Sequence, residues 1–309
     1  MRILNWGSLN LDKVYDLPHF VQAGETVSAQ GYEVFCGGKG LNQSIALARA
    51  GAQVFHAGAV GIDGELLLAA LKKAGADVSR ICQVEQPSGH AIIQRVCGEN
   101  CIIVRGGANC ALTERDADRA LSGFDKGDVL LVQNETSCVA YILRAAKAKG
   151  MRVALNPSPL PKVVEELPIE LADWLLVNEV EGAALAGQRV QTNTELLAAL
   201  RTRYPHTAIV LTLGGEGALY QDEQQTLAQP CCKVPVVDTI AAGDTFTGYF
   251  LAALVEGRPA KEALRRATFA AALAVTKKGA VPSIPACAAV ENFLRCGTPD
   301  APSGWKLEK

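Results

Sequence analysis

Two glycine-bearing segments concentrate the residues that could do chemistry. In VDTIAAGDTFTGYFLAAL, residues 237–254, Asp238 and Asp244 bracket a turn of small residues that runs into an apolar helical pattern. Ala241, Ala242 and Gly243 leave successive backbone amides uncovered, a cradle for an anion, and Asp244 stands beside it as a group able to accept a proton. An aspartate at a helix start also serves as a cap or as a partner to the helix dipole; the cradle next to it is what points to catalysis. In GGKGLNQSIALARAG, residues 37–51, a glycine-rich loop enters an alanine-rich helical pattern. Glycine lets a backbone approach a ligand closely, and first-turn amides donate hydrogen bonds. The loop is not a Walker loop, because Lys39 is followed by Gly40 and Leu41 where Ser or Thr is required. Neither it nor NWGSLNLD carries the GxGxxG that a dehydrogenase needs after its first strand. Taken alone, it is equally a tight turn before a helix.

Such segments must be held by a scaffold, and the hydrophobic pattern supplies one. Apolar stretches of strand length alternate with segments of helical period: RILNWGS, QVFHAGAVG, a helix from about Gly64, then DVLLVQN, RVALNPS, DWLLVN and AIVLTLG, each followed by a helical pattern. That order predicts an α/β fold, a mainly parallel sheet covered by helices. Two stretches break the rhythm. Residues 24–36 and 90–104 are rich in β formers with no helix after them, and the second carries a Gly-Glu-Asn turn between apolar runs, as a hairpin would. They are expected to form a small β-lid outside the main sheet. From about Ala241 onward the pattern is helical, and no internal repeat, low-complexity tract or linker interrupts the chain.

The bulk numbers narrow the partners. A chain of 309 residues, 49% hydrophobic, can bury a large core, and a net charge of −2 gives no electrostatic case for nucleic acid or an anionic membrane surface. A small-molecule partner is the better expectation. No secretory pattern opens the sequence and no apolar run reaches membrane-span length, which predicts a cytoplasmic protein. Ten cysteines are scattered without paired CxxC spacing and are expected to be reduced thiols. Cys36, immediately before the glycine-rich loop, is the one placed to report on a ligand.

Together the two segments resemble the paired signatures of the PfkB family of carbohydrate kinases, and the likeness runs over essentially the whole chain. Within that family the pattern is most similar to the ribokinases, in GSLNLD at 7–12, AGETV at 23–27, GGKGLNQ at 37–43, GANCAL at 107–112, LNPSP at 155–159, VNEVE at 177–181, LTLGGEG at 211–217, DTIAAGD at 238–244 and AVTKKGAVPSIP at 274–285. The resemblance implies a ribokinase-like sheet flanked by helices on both sides, a single kinase domain over 1–309, and a lid made from about 11–36 and 90–106. It implies transfer of the γ-phosphate of ATP to a sugar, with Asp244 as base and the phosphate resting on the amides of Ala242, Gly243 and Asp244. It places the sugar on Asn10, Asp12, Gly38, Lys39, Asn42, Glu135 and Asp244. ATP is placed on Asn178, Thr212, Gly214, Gly215, Gly217, Gly243 and Thr268. Magnesium falls near Glu181, in part through water, and a potassium ion near Asp238, Ile240, Ala274, Lys277, Gly279 and Ser283. A homodimer joined through the lids is also implied.

Three positions depart from the pattern. Ala241 stands where many members have glycine, and is expected to be harmless if its φ stays negative. Thr268 replaces a histidine near the adenine. Arg105, at the lid's exit, is a cation of the kind that members acting on phosphorylated sugars use to bind the substrate phosphate. Ribose, other pentoses, fructose, fructose 6-phosphate and nucleosides such as pseudouridine therefore stay open as substrates. A regulator that kept the fold and lost activity would be expected to have lost Asp244 or the glycine loop, and both are present.

Overall fold

Runs such as Ile3–Trp6 and Val129–Gln133 are buried at every position, as strands covered on both faces must be. The computed structural model describes residues 1–296 apart from Gly98, Lys162 and Arg189. In chain order the first half contains β1 (Ile3–Trp6), β2 (Asn10–Asp16), β3 (Gly31–Gly37), α1 (Lys39–Arg49), β4 (Val54–Val60), α2 (Glu65–Ala74), β5 (Asp77–Gln83), β6 (Gly89–Val96), β7 (Glu99–Arg105), α3 (Glu114–Leu121), β8 (Val129–Gln133) and α4 (Val139–Ala148). The second contains β9 (Arg152–Asn156), β10 (Trp174–Asn178), α5 (Glu179–Ala186), α6 (Asn193–Arg203), β11 (Ala208–Thr212), β12 (Gly217–Gln221), β13 (Thr226–Pro230), α7 (Ala242–Val255), α8 (Ala260–Ala274), α9 (Ala280–Ser283) and α10 (Cys287–Cys296).

Nine strands form the main sheet in the order β13-β12-β11-β10-β9-β8-β1-β4-β5. The pairings from β11 through to β5 are parallel, while β12 and β13 add an antiparallel edge. Successive residues point to opposite faces, so β8 divides its side chains between two apolar cores. Val129 and Leu131 pack with Ile45, Phe250 and Phe269 from α1, α7 and α8. Leu130 and Val132 pack with Ile142, Leu143 and Leu200 from α4 and α6. The helices therefore cover both faces, as expected.

Two expectations about connections are corrected. RVALNPS leads into short 3-10 turns at Val164–Glu166 and Ile169–Leu171 before β10, with no α-helix among the described residues. AIVLTLG is followed by the β12–β13 pair, because Gly217 at φ 118° turns the chain back beside β11.

The second sheet has the order β3-β2-β6-β7. Its β2–β6 pairing is parallel and the other two are antiparallel. The expectation for residues 24–36 holds only from Gly31; residues 24–30 are not strand, and the segment after β1 supplies β2 instead. Within the 90–104 hairpin, Glu99 and Asn100 already pair with Val96 and Arg95, so they are not turn residues as expected; Gly98 of that turn lies outside the described residues, as do residues 297–309. Asn10 pairs with both Gly37 and Gly89, which roots this small sheet beside the glycine-rich loop.

Candidate active site

Because β1, β8, β9, β10 and β11 run parallel, their carboxyl ends fall along one edge of the sheet. Residues Gly7 to Asn10 follow β1, Glu135 follows β8, and Asn156, Asn178 and Thr212 end β9, β10 and β11. In open α/β sheets this edge is where ligands bind.

On the side of the glycine loop, backbones approach too closely for any Cβ. One on Gly40 would lie 2.3 Å from the Ser8 amide nitrogen, and one on Gly7 would lie 2.6 Å from Gly40 Cα. Gly38 takes a φ of 96° at the entry to α1, a conformation that glycine adopts without strain. Glu135 staples the loop: its Oε2 accepts the Ser8 hydroxyl and, at 3.0 Å, the Lys39 amide. Burial pushes the Glu135 carboxyl up, against the lowering effect of those two bonds. The Asp12 carboxylate lies over Gly37, where a Cβ would sit 2.0 Å from Oδ2. Burial, with Glu135 as a second cause, pushes Asp12 up to about 6. Asn10 is buried, and its Oδ1 accepts from Asn109 Nδ2 at 2.8 Å.

The packing of α7 on α1 brings the acid to the loop. A Cβ on Gly248 would meet Ala46 Cβ at 2.4 Å and the Leu47 amide nitrogen at 2.8 Å, so glycine sets this helix spacing. One turn earlier on both helices, Asn42 Nδ2 donates to Asp244 Oδ2 at 3.0 Å and Gln43 Nε2 donates to Asp244 Oδ1 at 2.9 Å. Asp244 is 8% exposed. Asn42 Oδ1 is buried without a partner, an acceptor whose burial costs free energy while it stays unpaired.

The other half of the edge is built from backbone. Ala241 has φ 61° and ψ 11° at the start of α7, which corrects the expectation of a negative φ: the chain turns sharply here as it enters the helix. Of the expected cradle, Ala242 N–H is turned to Thr239 O at 3.3 Å, while Gly243 is exposed with nothing within 4 Å of where a Cβ would stand. Gly214 and Gly215 are open in the same sense, whereas Gly217 is buried and its Cβ would lie 2.1 Å from Gln229 O. Gly217 is thus required by the strand turn. Thr212 Oγ1 donates to Val177 O at 3.4 Å. Thr268 is enclosed in α8, its Oγ1 buried without a partner.

Asn178 and Glu181 form a capping box at α5: Asn178 Oδ1 accepts from the Glu181 amide at 2.8 Å, and Glu181 Oε2 from the Asn178 amide at 3.1 Å. Asp238 joins two loops, with Oδ1 accepting from the Ile240 amide at 3.0 Å and Oδ2 from the Gly279 amide at 2.8 Å. Beside it the Ala274 carbonyl accepts the Lys277 amide at 3.1 Å, and Ser283 Oγ donates to Ala280 O at 2.7 Å. No group of three or more His, Cys, Asp or Glu side chains among the described residues could hold a metal ion by itself.

Sequence reasoning did not single out Ser8, Gln43, Asn109 or Asn156. Gln43 and Asn109 sit inside quoted motifs, GGKGLNQ and GANCAL, but as amides they carry no signal until a partner is seen. Arg105 ends β7 fully on the surface, across from His90 of β6. Cys36 Sγ lies 3.5 Å from Leu66 O, and burial, then Asp12, pushes its thiol up.

A buried acid beside an open helix start, facing a glycine loop with one unpartnered acceptor at Asn42, is an arrangement for a hydroxyl-bearing ligand and an anion. The pfkB family carbohydrate kinase model matches residues 2–287. A ribokinase of Haemophilus influenzae is 36% identical over 296 residues, covering 93% of this chain and 96% of that one. A deoxyribokinase of Salmonella typhi is 31% identical over 299 residues, covering 93% and 97%. Among solved structures, Arabidopsis thaliana ribokinase complexed with ribose and ATP superposes with a TM-score of 0.86 at 31% identity, covering 95% of this chain and 98% of that one. Family model, relatives and fold converge on one family, and the chain belongs to the pfkB family of carbohydrate kinases.

Proposed function

We propose that this kinase transfers the γ-phosphoryl group of ATP to the 5-hydroxyl, the primary hydroxyl, of D-ribose or a closely related sugar, with Asp244 taking the hydroxyl proton. The observation that carries the reading is the seating of Asp244, each of whose oxygens accepts one amide N–H from α1 while the open backbone of α7 begins beside it. Similarity to ribokinases over nearly the full chain supports ribose, and the deoxyribokinase relative makes deoxyribose the nearest alternative.

In this reading Asn10, Asp12, Gly38, Lys39, Asn42 and Glu135 hold the sugar. Two carboxylates and two amides suit vicinal hydroxyls, each of which needs both a donor and an acceptor. Asp244 accepts the proton as the sugar oxygen bonds to the γ-phosphorus and the bond from phosphorus to the bridging oxygen of ADP breaks. The amides of Gly243 and Asp244 take the phosphoryl oxygens, and the open turn at Gly214 and Gly215 takes the nucleotide, with Asn178, Thr212 and Thr268 nearby. Gly217 shapes that turn.

The residues present suit both cations. Glu181 spends Oε2 on its cap, leaving Oε1 for a magnesium ion that keeps most of its waters. The loops joined by Asp238 offer the oxygens of Ile240, Ala274, Lys277, Gly279 and Ser283 for potassium. When bound, the two cations supply positive charge that offsets the charge on the transferring phosphoryl group.

The lid's outer strand β7 is exposed throughout and carries Ile102, Ile103 and Val104. An apolar edge of this kind needs cover, and a second copy of the chain joined through the lids would provide it; a monomer in sedimentation at high concentration argues against this. No helix among the described residues is long and apolar enough to cross a membrane. The free cysteines suit a reducing compartment, and we place the protein in the cytoplasm.

Arg105, exposed at the lid's end, favours a sugar phosphate as the second reading. Coupled ADP release with ATP, magnesium and potassium tests both, using ribose, deoxyribose, fructose, fructose 6-phosphate and nucleosides, with Asp244→Ala as control. Turnover on ribose that is lost in the control upholds the first reading. Turnover confined to fructose 6-phosphate replaces it with the second.

A further inference from the structure

We propose that Gln43 is a positioning residue for Asp244, its amide locked in the donating sense by a buried hydrogen-bond chain that crosses the sheet to the carbonyl of Gly7. This rests on the reading of Asp244 as the base. Gln43 Nε2 donates to Asp244 Oδ1 and to Asn156 Oδ1, each at 2.9 Å. Its Oε1 accepts from Gln133 Nε2 at 2.6 Å, and the same Gln133 nitrogen donates to Asn5 Oδ1 at 3.0 Å. Asn5 Nδ2 donates to Gly40 O and to Ser44 Oγ, both at 2.8 Å. Ser44 Oγ is 2.8 Å from His56 Nδ1, and His56 Nε2 is 3.2 Å from Gly7 O.

The direction of every bond follows from the two ends. A carbonyl only accepts, so His56 carries its proton on Nε2. Complete burial holds His56 down at about 4, in its neutral form, against the opposing bond to Gly7, which leaves Nδ1 to accept from the Ser44 hydroxyl. Ser44 Oγ then accepts from Asn5, which presents its oxygen to Gln133, and Gln133 presents N–H to Gln43 Oε1. At the other end Asn156 Nδ2 donates to Leu176 O at 2.9 Å, so Asn156 turns its oxygen toward Gln43 and requires a donor there. Both ends demand the same orientation of Gln43. A flip would set its oxygen against Asp244 Oδ1 and Asn156 Oδ1, and its amide against that of Gln133.

The chain is costly in a way that a core built for stability alone would avoid. Asn5, Gln43, Ser44 and His56 are 0% exposed, and Gln133 is 1% exposed with Oε1 lacking any partner. Apolar residues of similar volume would remove that unpaired atom. What the polar version supplies is a fixed plane for the Asp244 carboxylate, since Asn42 holds one oxygen and Gln43 the other. The charged group that faces Asp244 is Glu135 in the loop after β8, which itself interacts with Lys39 at the start of α1 and with Asp12 in β2; the test leaves all of them in place.

The experiment compares Gln43→Met, Gln43→Glu and Gln133→Met with the parent enzyme and with Asp244→Asn, reading kcat and KM for ribose and the pH profile of kcat/KM. Positioning predicts that Gln43→Met lowers kcat by about ten- to a hundredfold, the worth of a hydrogen bond to a charged group, with KM for ribose changed little. Gln43→Glu, which sets a second carboxylate against Asp244, moves the acid limb of the profile up by about one pH unit or more. Gln133→Met, which touches neither Asp244 nor the sugar, lowers kcat in the same direction by less, and decides the matter should the Gln43 variants fail to fold. Unchanged kcat in Gln43→Met, or a loss confined to KM, overturns the proposal while leaving the base intact. Full activity in Asp244→Asn overturns the reading of the base itself, and the positioning role with it.

Discussion

The two halves of the active-site edge are built from different material. The half proposed to face the sugar is made of side chains already tied to protein partners: Glu135 on Ser8 and Lys39, Asn10 on Asn109, Asp244 on Asn42 and Gln43. The half proposed to face the nucleotide is made of backbone at Gly214, Gly215 and Gly243, where a Cβ would meet nothing within 4 Å. A sugar differs from its isomers only in where its hydroxyls point, so its site needs fixed side chains. Triphosphate oxygens can be held by any well-placed N–H, so that half needs only open chain and the right turn.

This contrast can be broken by substitution. The largest effect belongs to Asp244→Asn, which keeps the shape of the side chain and removes the base; kcat should fall about 10³-fold while ribose affinity, measured by calorimetry, stays within severalfold. Glu135→Ala comes next. It leaves the Ser8 hydroxyl and Lys39 amide without their acceptor, and KM for ribose should rise by up to about a hundredfold with KM for ATP little changed. An equal rise in both constants would mean that the halves are not separate.

The contrast was also uneven in the sequence. Strand runs, the glycine loop and the start of α7 were legible because apolar period and glycine spacing are local signals. The helices expected after β9 and β11 were not found, since β9 needs only short turns to reach β10 and Gly217 sends the chain back as β12. Sugar-side acids could be named from the resemblance to the kinase family, yet their partners could not: Asn109 lies 99 residues from Asn10, and Gln43 lies 201 from Asp244. On the nucleotide side, the positive φ of Ala241 was missed because alanine gives no hint of it, and the capping role of Glu181 competes with a metal role that the same residues would serve.

Acidity sharpens the comparison further. Burial, then Glu135, raises Asp12 to about 6, above its unfolded value, so ionisation opposes folding. Stability of the free protein should fall as pH rises from the usual carboxylate range through about 6, then level off. Ribose binding runs the other way, because hydroxyls need an ionised acceptor: KM for ribose should drop with rising pH through the same window, by no more than about tenfold per unit. Asp12→Asn should flatten that dependence, and KM for ATP should not follow it. The smallest effect is expected at Ala241→Gly, which relieves a left-handed alanine but loosens the unfolded chain. Urea denaturation should register a change below about 1 kcal/mol, with ribose binding untouched.

The most direct measurement is the position of the new phosphate, read by phosphorus and carbon NMR on the product formed from ATP and D-ribose. The account predicts ribose carrying phosphate on its 5-hydroxyl, with none formed by Asp244→Asn in the same time. Phosphate on the anomeric hydroxyl, or no ribose product from an enzyme that turns over fructose 6-phosphate, would contradict it.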